Sequence, residues 1–162
     1  MTAAGSRVGS GRDDAFADVR LRPVTPVDVP LFFEYQRDPV AARMAGATPA
    51  GRRDHERLWR DMRSDPAVLV RTIVVGGAVA GSITSWTQWH QRQLGYWLGR
   101  DYWGRGVATT ALALFLCEMT DRPVYAYVAG HNAASRRVLE KCGFQPDGLD
   151  GDGSLLGYVL EA

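Results

Sequence analysis

LGYWLGRDYWGRGVATTAL, the segment from Leu94 to Leu112, decides the fold of this chain. Its first five residues predict a strand, the loop Trp103–Gly106 is basic and rich in glycine, and an apolar helix is predicted to begin at Val107. The first amides of a helix have no intrahelical partner, and the helix dipole adds partial positive charge there. Glycines let that backbone approach a bound group closely, and Arg105 adds a formal charge. The junction therefore predicts a phosphate-binding site.

Such a junction fits a nucleotide, a dinucleotide, coenzyme A, or a loop that merely turns the chain. A Walker phosphate loop needs Lys followed by Ser or Thr where the helix opens, and Val107 and Ala108 stand there instead. A dinucleotide fingerprint needs an acidic residue at the end of the next strand, and Tyr127–Ala129 contains none. The first two ligands are therefore disfavoured, and coenzyme A and the structural loop remain.

A second strand-to-helix junction follows at NAASRRVLEKCGF, Asn132–Phe144. Asn132 predicts a helix N-cap, and Gly143 predicts the end of that helix. Ser135, Leu139 and Cys142 lie on one face of it, because spacings of four and three residues return to the same side. Two successive junctions can offer polar groups to one crevice at the strand ends, which favours a ligand-binding role.

The overall composition excludes several classes of function. Lys and Arg number 19 and Asp and Glu 18, so the net charge of +1 gives no field that would attract nucleic acid or a membrane surface. No apolar run reaches membrane-spanning length, and the first residues are rich in Gly, Ser, Ala and charge without an apolar signal core. We therefore expect a disordered tail over residues 1–17, one domain over residues 18–162, and a cytoplasmic protein.

The N-terminal third of the chain predicts two helices. Thr25 is the predicted N-cap of the first, and Arg52–Arg63 forms the second. The span Val40–Gly51 between them is rich in Ala and Gly and is predicted to be irregular. The apolar residues of the second helix that should face inward are Leu58, Trp59 and Met62.

The two cysteines, Cys117 and Cys142, both fall in predicted helices without a C-x-x-C spacing. This arrangement predicts buried free thiols rather than a zinc site or a disulfide framework.

The motifs WGRGVAT (Trp103–Thr109) and NAASRRVLEKCGF (Asn132–Phe144) together resemble those of the GNAT acyltransferases. The strand GYWL before the first motif is similar to the RimJ/RimL-like branch, which acetylates protein N-terminal amines and varied small amines. The resemblance covers nearly the whole chain from Val19. It implies an α/β fold with a mixed, strongly twisted sheet of six or seven strands and about four helices.

The same resemblance implies acetyl-CoA as the cosubstrate and no metal. Main-chain amides from Arg105 to Thr109 would bind the pyrophosphate, and the backbone of Leu98 would meet the acetyl group and the pantetheine arm. Asn132 would hydrogen-bond the pantetheine, although a plain N-cap role fits it equally. The implied cofactor-binding residues are Leu98, Trp103, Gly104, Arg105, Gly106, Val107, Ala108, Thr109, Asn132 and Ser135.

Ser135 is the candidate acid that reprotonates the coenzyme A thiolate. Many relatives place a Tyr seven residues after the Asn, and Leu139 stands there in this chain. An exposed serine in the first turn of the helix is the alternative.

The base that frees the attacking amine of its proton is less defined. Related sequences carry Glu two residues before the Gly-Tyr of the strand, and here that residue is Gln93, which cannot take a proton. His90 has a suitable intrinsic pKa, and Glu34 or Glu56 on the N-terminal helices could act through water.

The predicted function is therefore acetyl transfer from acetyl-CoA to a small-molecule or peptide primary amine, by direct attack in a ternary complex. A catalytically weak acyl-CoA-binding regulatory module of the same fold is the alternative, because Gln93 and Leu139 replace expected catalytic residues. The resemblance leaves the chain as a monomer or a homodimer.

Overall fold

A computed structural model describes residues 18–162, and the predicted disordered tail lies outside them. The described residues form one seven-stranded sheet, with helices packed on both of its faces. In chain order the elements are β1 (Val19–Pro23), α1 (Val29–Arg37), α2 (Pro39–Ala45), α3 (Arg52–Ser64), β2 (Leu69–Val75), β3 (Ala78–Gln88), β4 (Gln91–Leu98), a 3₁₀ turn (Arg100–Tyr102), α4 (Val107–Glu118), β5 (Val124–Ala129), α5 (Ala133–Lys141), β6 (Gln145–Leu149) and β7 (Leu155–Leu160).

The strand order is β1-β2-β3-β4-β5-β7-β6. All neighbouring strands pair antiparallel except β4 and β5, which pair parallel. Tight turns set this register: Gly76 and Gly77 join β2 to β3 with φ of 57° and 79°, and Trp89 and His90 join β3 to β4 with φ of 50° and 62°. A two-residue hairpin turn with positive φ at both positions matches the twist of its strands. Glycine adopts a positive φ freely, whereas Trp and His do not.

One face of the sheet carries the larger core. The buried side of α4, with Ala111, Leu112 and Phe115, packs there against Ile83 and Leu94 of the central strands. The opposite face is covered by α1 and α3 over a smaller apolar cluster, whose buried members are Val24, Val29, Phe32, Trp59 and Val70. Each face of the sheet therefore has its own helical layer.

The N-terminal layer is anchored by a buried carboxylate. Asp28, 2% exposed, accepts hydrogen bonds from Arg22 at 2.7 and 2.8 Å and from the Thr72 hydroxyl at 2.8 Å. Burial raises the pKa of Asp28, but the hydrogen bonds from Arg22, Thr25 and Thr72 outweigh it and hold the pKa well below its usual range. The start of α1 is thus fixed to β1 and β2.

The prediction that Thr25 caps the first helix is wrong. Asp28 occupies the N-cap position of α1, and the Thr25 amide and hydroxyl donate to its carboxylate at 2.9 and 3.1 Å. The Asp28 carboxylate caps no helix amide, because it accepts instead from Arg22, Thr25 and Thr72.

The span Val40–Gly51 is not wholly irregular, because α2 occupies its first half. Asp38 caps this helix by accepting from the Val40 amide at 3.0 Å, and Gly46 ends it with a φ of 64°. Alanines favour the helix, and the buried Ala41 and Ala42 supply its contacts. The structure accordingly has five α-helices in the described residues rather than about four.

Two burial predictions also fail. Leu58 is 51% exposed, whereas His55 joins Trp59 on the buried side of α3. Cys117 is exposed at the end of α4, and Cys142 is half-buried at the C-cap of α5. Both thiols are free. Within residues 18–162 no helix is long and apolar enough to cross a membrane.

Candidate functional site

A cleft of about 350 Å³ opens where β4 and β5 separate. The two strands pair at Arg92 with Val124 and at Gln93 with Tyr125, and beyond these residues they diverge. The cleft continues over the start of α4 and is closed on its other sides by α2 and α5. The predicted cofactor-binding residues that line it are Leu98, Trp103, Gly104, Gly106, Val107, Ala108, Thr109, Asn132 and Ser135.

The loop before α4 presents unpaired backbone amides to this cleft. Gly104 and Gly106 adopt left-handed φ values of 67° and 73°, which turn the chain into the helix. The first amide of α4 with a helical acceptor is that of Thr110, which donates to the Gly106 carbonyl at 3.1 Å. No side chain among the described residues caps the helix start, so the preceding amides are available to an anion.

Trp103 fixes this loop to the end of β4. Its indole N–H donates to the Leu98 carbonyl at 3.2 Å, and the ring packs against the core. The side chain of Trp103 therefore holds the amide loop and the strand end in one arrangement.

Asn132 acts as the N-cap of α5, accepting from the Ser135 amide at 3.2 Å. This bond confirms the capping prediction and leaves the Asn132 amide N–H₂ as a donor at the cleft wall. The backbone carbonyl of Ser135 accepts a hydrogen bond from the Tyr96 hydroxyl at 3.4 Å. The side-chain hydroxyl of Ser135 has no partner among the described residues. Burial raises the pKa of Tyr96 to about 12, so this hydroxyl stays protonated and acts as a donor.

Two cations that sequence reasoning did not single out complete the cleft. Arg137 and Lys141, the single lysine of the chain, lie four residues apart on α5 and both line it. Both are basic residues of the second motif, Asn132–Phe144, and their spacing of four on the predicted helix was the signal that could have found them. The predicted Arg105 does not line the cleft: its guanidinium lies 5.7 Å from the Tyr102 ring and donates to the Asp101 carbonyl at 3.4 Å.

The α2 side of the cleft is held in place from two directions. Arg100, just after β4, pairs with Asp38 at 2.8 Å, and the His131 ring lies 2.7 Å from the Arg43 carbonyl. These contacts seat Ala41 and Met44 against the cleft. The irregular conformation predicted for Val40–Gly51 gave no indication that this segment forms a wall of the cleft.

The predicted bases do not line this cleft. His90 is exposed in the turn before β4, and the 8 residues of that strand separate it from the Leu98 end by about 25 Å. Glu34, half-exposed on α1, pairs with Arg37 at 3.4 Å and Arg52 at 3.7 Å. Glu56 is exposed on α3. The structure brings the cofactor-binding candidates together at the cleft, Arg105 excepted, and leaves the base candidates outside.

Comparisons with known proteins agree with this geometry. Residues 18–145 match the family model described as acetyltransferase (GNAT) domain. An acetyltransferase from Thermus thermophilus is 25% identical, with a TM-score of 0.75 over 90% of this chain and 97% of that one. An acetyltransferase from Agrobacterium tumefaciens has a TM-score of 0.78 at 19% identity, over 100% of this chain and 98% of that one.

A third solved structure, the aminoglycoside acetyltransferase AAC(6')-Ib in complex with coenzyme A, has a TM-score of 0.75 at 18% identity, over 88% of this chain and 94% of that one. No curated protein matches the sequence. The matches confirm the predicted α/β fold with its seven-stranded mixed sheet.

Proposed function

Because this chain belongs to the acetyltransferase (GNAT) domain family, we propose that it transfers the acetyl group of acetyl-CoA to a primary amine. The observation that carries the proposal is the cleft itself. Unpaired amides at the start of α4 line one part of the cleft, and the separated edges of β4 and β5 line another part. The amides suit a pyrophosphate, and the strand edges suit an extended arm that contains amide groups. Solved neighbours of the same fold hold coenzyme A or acetyl-CoA.

In this proposal the amides between Arg105 and Thr109 bind the pyrophosphate, and Arg137 and Lys141 add charge-assisted contacts to the phosphates. Asn132 donates its free amide N–H to the pantetheine arm. The backbone at Leu98 faces the acetyl end, and Trp103 keeps that strand end in register with the amide loop.

The reaction proceeds by direct attack. The neutral amine nitrogen forms a bond to the thioester carbon, the carbon–sulfur bond breaks, and the departing thiolate takes up a proton. Ser135 supplies that proton in our proposal, since its hydroxyl lies in the cleft wall with no partner among the described residues. Neither cysteine has, within residues 18–162, the histidine partner that a covalent acyl-enzyme route would need.

The acceptor is a small-molecule or peptide amine. The strand GYWL resembles the RimJ/RimL-like branch and favours a protein N-terminus or a small amine as substrate. A solved neighbour holds ribostamycin together with coenzyme A, but at 16% identity that likeness extends to the fold alone. We therefore assign the chain to the RimJ/RimL-like enzymes, as a proposal that rests on its motifs.

A two-step measurement tests the proposal. Calorimetric titration with acetyl-CoA should show micromolar binding, and free thiol should then appear on incubation with a panel of peptide amines, alkylamines and aminoglycosides. Absence of acetyl-CoA binding by folded protein would overturn the assignment. Binding without turnover on any amine would identify an acyl-CoA-binding regulatory module instead.

A further inference from the structure

The short helix α2 crosses the gap between β4 and β5 and is tied to both strand ends. At its start Asp38 pairs with Arg100, the second residue after β4, at 2.8 Å. Near its end the Arg43 carbonyl lies 2.7 Å from the ring of His131, the second residue after β5. The 7 residues of the helix span about 10 Å. α2 therefore closes the cleft on the side where the two strands have separated.

The surface that α2 presents to the cleft is apolar. Ala41, Met44 and Ala45 line it, and their spacing of three and four residues puts them on one side of the helix. Met44 is half-buried and is the largest of the three side chains. Trp97 lines the cleft as well, and its indole N–H already donates to the Tyr35 carbonyl at 3.0 Å. The part of the cleft next to α2 thus offers hydrocarbon, a thioether and an aromatic ring.

No carboxylate faces this space. Of the described residues that line the cleft, none is Asp, Glu or His, whereas Arg137 and Lys141 are positively charged. The carboxylate at the start of α2 is already occupied, because one oxygen of Asp38 accepts from Arg100 and the other accepts from the Val40 amide at 3.0 Å. A cationic group placed beside Met44 would lose hydration without gaining a partner of opposite charge.

The α2 side is also the side that the proposed complex leaves for the acceptor. In that complex acetyl-CoA occupies the amides before α4 and the strand edges, while Arg137 and Lys141 contact its phosphates. Trp97 lies on the face of β4 opposite to that of Leu98, and its ring adjoins α2 in the cleft. An amine that attacks the thioester from this face therefore has the rest of its molecule against Met44 and Trp97.

We propose that Met44 and Trp97 select an acceptor whose amine is attached to an apolar chain or ring without a second positive charge. This inference rests on the proposed acetyl transfer and narrows its substrate class. It excludes polyamines and aminoglycosides, which need carboxylates to neutralise their additional ammonium groups. Met44 is then a specificity-determining residue, because its side chain is unbranched and adapts to different apolar shapes.

The test compares two amines of equal length, 1-aminohexane and 1,5-diaminopentane. They have the same number of non-hydrogen atoms and differ by a methyl group in the place of a second ammonium group. Wild-type kcat/KM should favour 1-aminohexane on the order of 100-fold per amine group, because the second ammonium group would be desolvated without a partner. Release of free thiol from acetyl-CoA measures both rates.

Variants of Met44 assign this preference to the α2 wall. Met44→Glu should lower kcat/KM for 1-aminohexane about tenfold through the lost apolar contact, and should raise it for 1,5-diaminopentane about tenfold through a new ion pair. Met44→Leu keeps an apolar side chain of similar volume and should stay within about threefold of wild type for both amines. The acetyl-CoA Kd should be constant throughout.

Leu58→Glu is the matched control, since Leu58 is 51% exposed on α3 and the same charge there should leave both rates unchanged. Equal wild-type rates for the two amines would overturn this inference and leave the transfer standing. So would turnover on neither amine while a peptide amine is acetylated, or an equal loss for both amines in Met44→Glu. Acetyl-CoA binding without turnover on any amine would overturn the proposed transfer, and this inference with it.

Discussion

The α4–α5 side of the sheet and the α1–α3 side are held together by different kinds of contact. On the first side the polar groups that line the cleft are backbone amides of one loop and two cations on one helix, Arg137 and Lys141. On the second side polar side chains from distant segments meet, as when Asp28 binds Arg22 and Thr72. The cleft contacts on the first side therefore depend on local backbone shape, and the internal contacts on the second depend on tertiary packing.

The two sides also differ in how they handle charge. The cations of the cleft are near solvent and can attract an anionic ligand, whereas the N-terminal layer buries two ionisable side chains, Asp28 and His55. His55, 2% exposed, lies between the Gln36 side chain at 2.7 Å and the Val29 carbonyl at 3.3 Å. Burial lowers the pKa of His55, which keeps the ring neutral in the folded protein.

The largest expected effect comes from disturbing the backbone of the cofactor side. Gly106→Val places a β-branched residue at a φ of 73° and should raise the Kd for acetyl-CoA on the order of 100-fold or more, because the amides can no longer converge. Gly77→Val imposes similar strain at a φ of 79° in the β2–β3 turn and should leave that Kd unchanged. Equal affinities for the two variants by calorimetry would mean that local loop shape does not govern binding.

Ser135 separates chemistry from binding on the same side. Ser135→Ala removes the proposed proton donor and should lower kcat about 10- to 100-fold while the acetyl-CoA Kd stays constant. Ser64→Ala removes a hydroxyl that donates only to the Arg60 carbonyl on α3, and it should leave kcat unaffected. If Ser135→Ala retained full kcat in a steady-state assay, another group would have to protonate the thiolate.

The helix cations should contribute less than the backbone. Arg137→Ala and Lys141→Ala should each raise the acetyl-CoA Kd about tenfold, the loss typical of one charge-assisted hydrogen bond. Added salt should reduce this difference, because these side chains are near solvent. Arg60→Ala, exposed on α3, is the charge-matched control. If calorimetry gave the same acetyl-CoA Kd for all three variants, the backbone amides alone would account for phosphate binding.

The smallest expected effect tests the buried polar contacts of the N-terminal layer. The folded pKa of His55 lies below its unfolded value of about 6.5, so the unfolded state binds more protons and stability should fall as the pH drops below about 6.5. His55→Leu should reduce the change in urea midpoint between about pH 7.5 and pH 5, and the exposed His90→Leu should not. Asp28, with its lowered pKa, loses its contribution only below about pH 3.9, outside this window. If the urea midpoints of wild type and His55→Leu changed in parallel with pH, the result would contradict a lowered pKa for His55.

Local sequence patterns predicted the elements whose hydrogen-bonding groups are neighbours in the chain. The glycines of the α4 loop, the Asn132 cap and the alternation of β4 each depend on a few consecutive residues, and the structure has all three. The predicted helix cap at Thr25 failed because Asp28 gains from Arg22 on a strand that precedes it. The α2 wall was missed because its alanines become informative once they are packed against the sheet.

The residues of the site show the same division. Arg137 and Lys141 were within a recognised motif, yet which helix face meets the cleft depends on how α5 packs. His90 was selected for its intrinsic pKa, and the length of β4 places it at the other end of the sheet. Gln93 was noted as a missing base, and its buried and unpartnered amide became visible when β4 and β5 were seen to separate beside it.

Backbone conformation at glycines, helix caps and strand alternation are properties of short segments. Local residue order was therefore enough to determine the glycine loop before α4, the helix that follows it and the α/β class. Burial, the pairing of distant side chains and the angle between strands depend on contacts among residues far apart in the chain. For that reason the folded protein alone established the divergence of β4 from β5, the wall formed by α2, the lowered pKa of His55, and the buried Gln93 amide without a partner among the described residues.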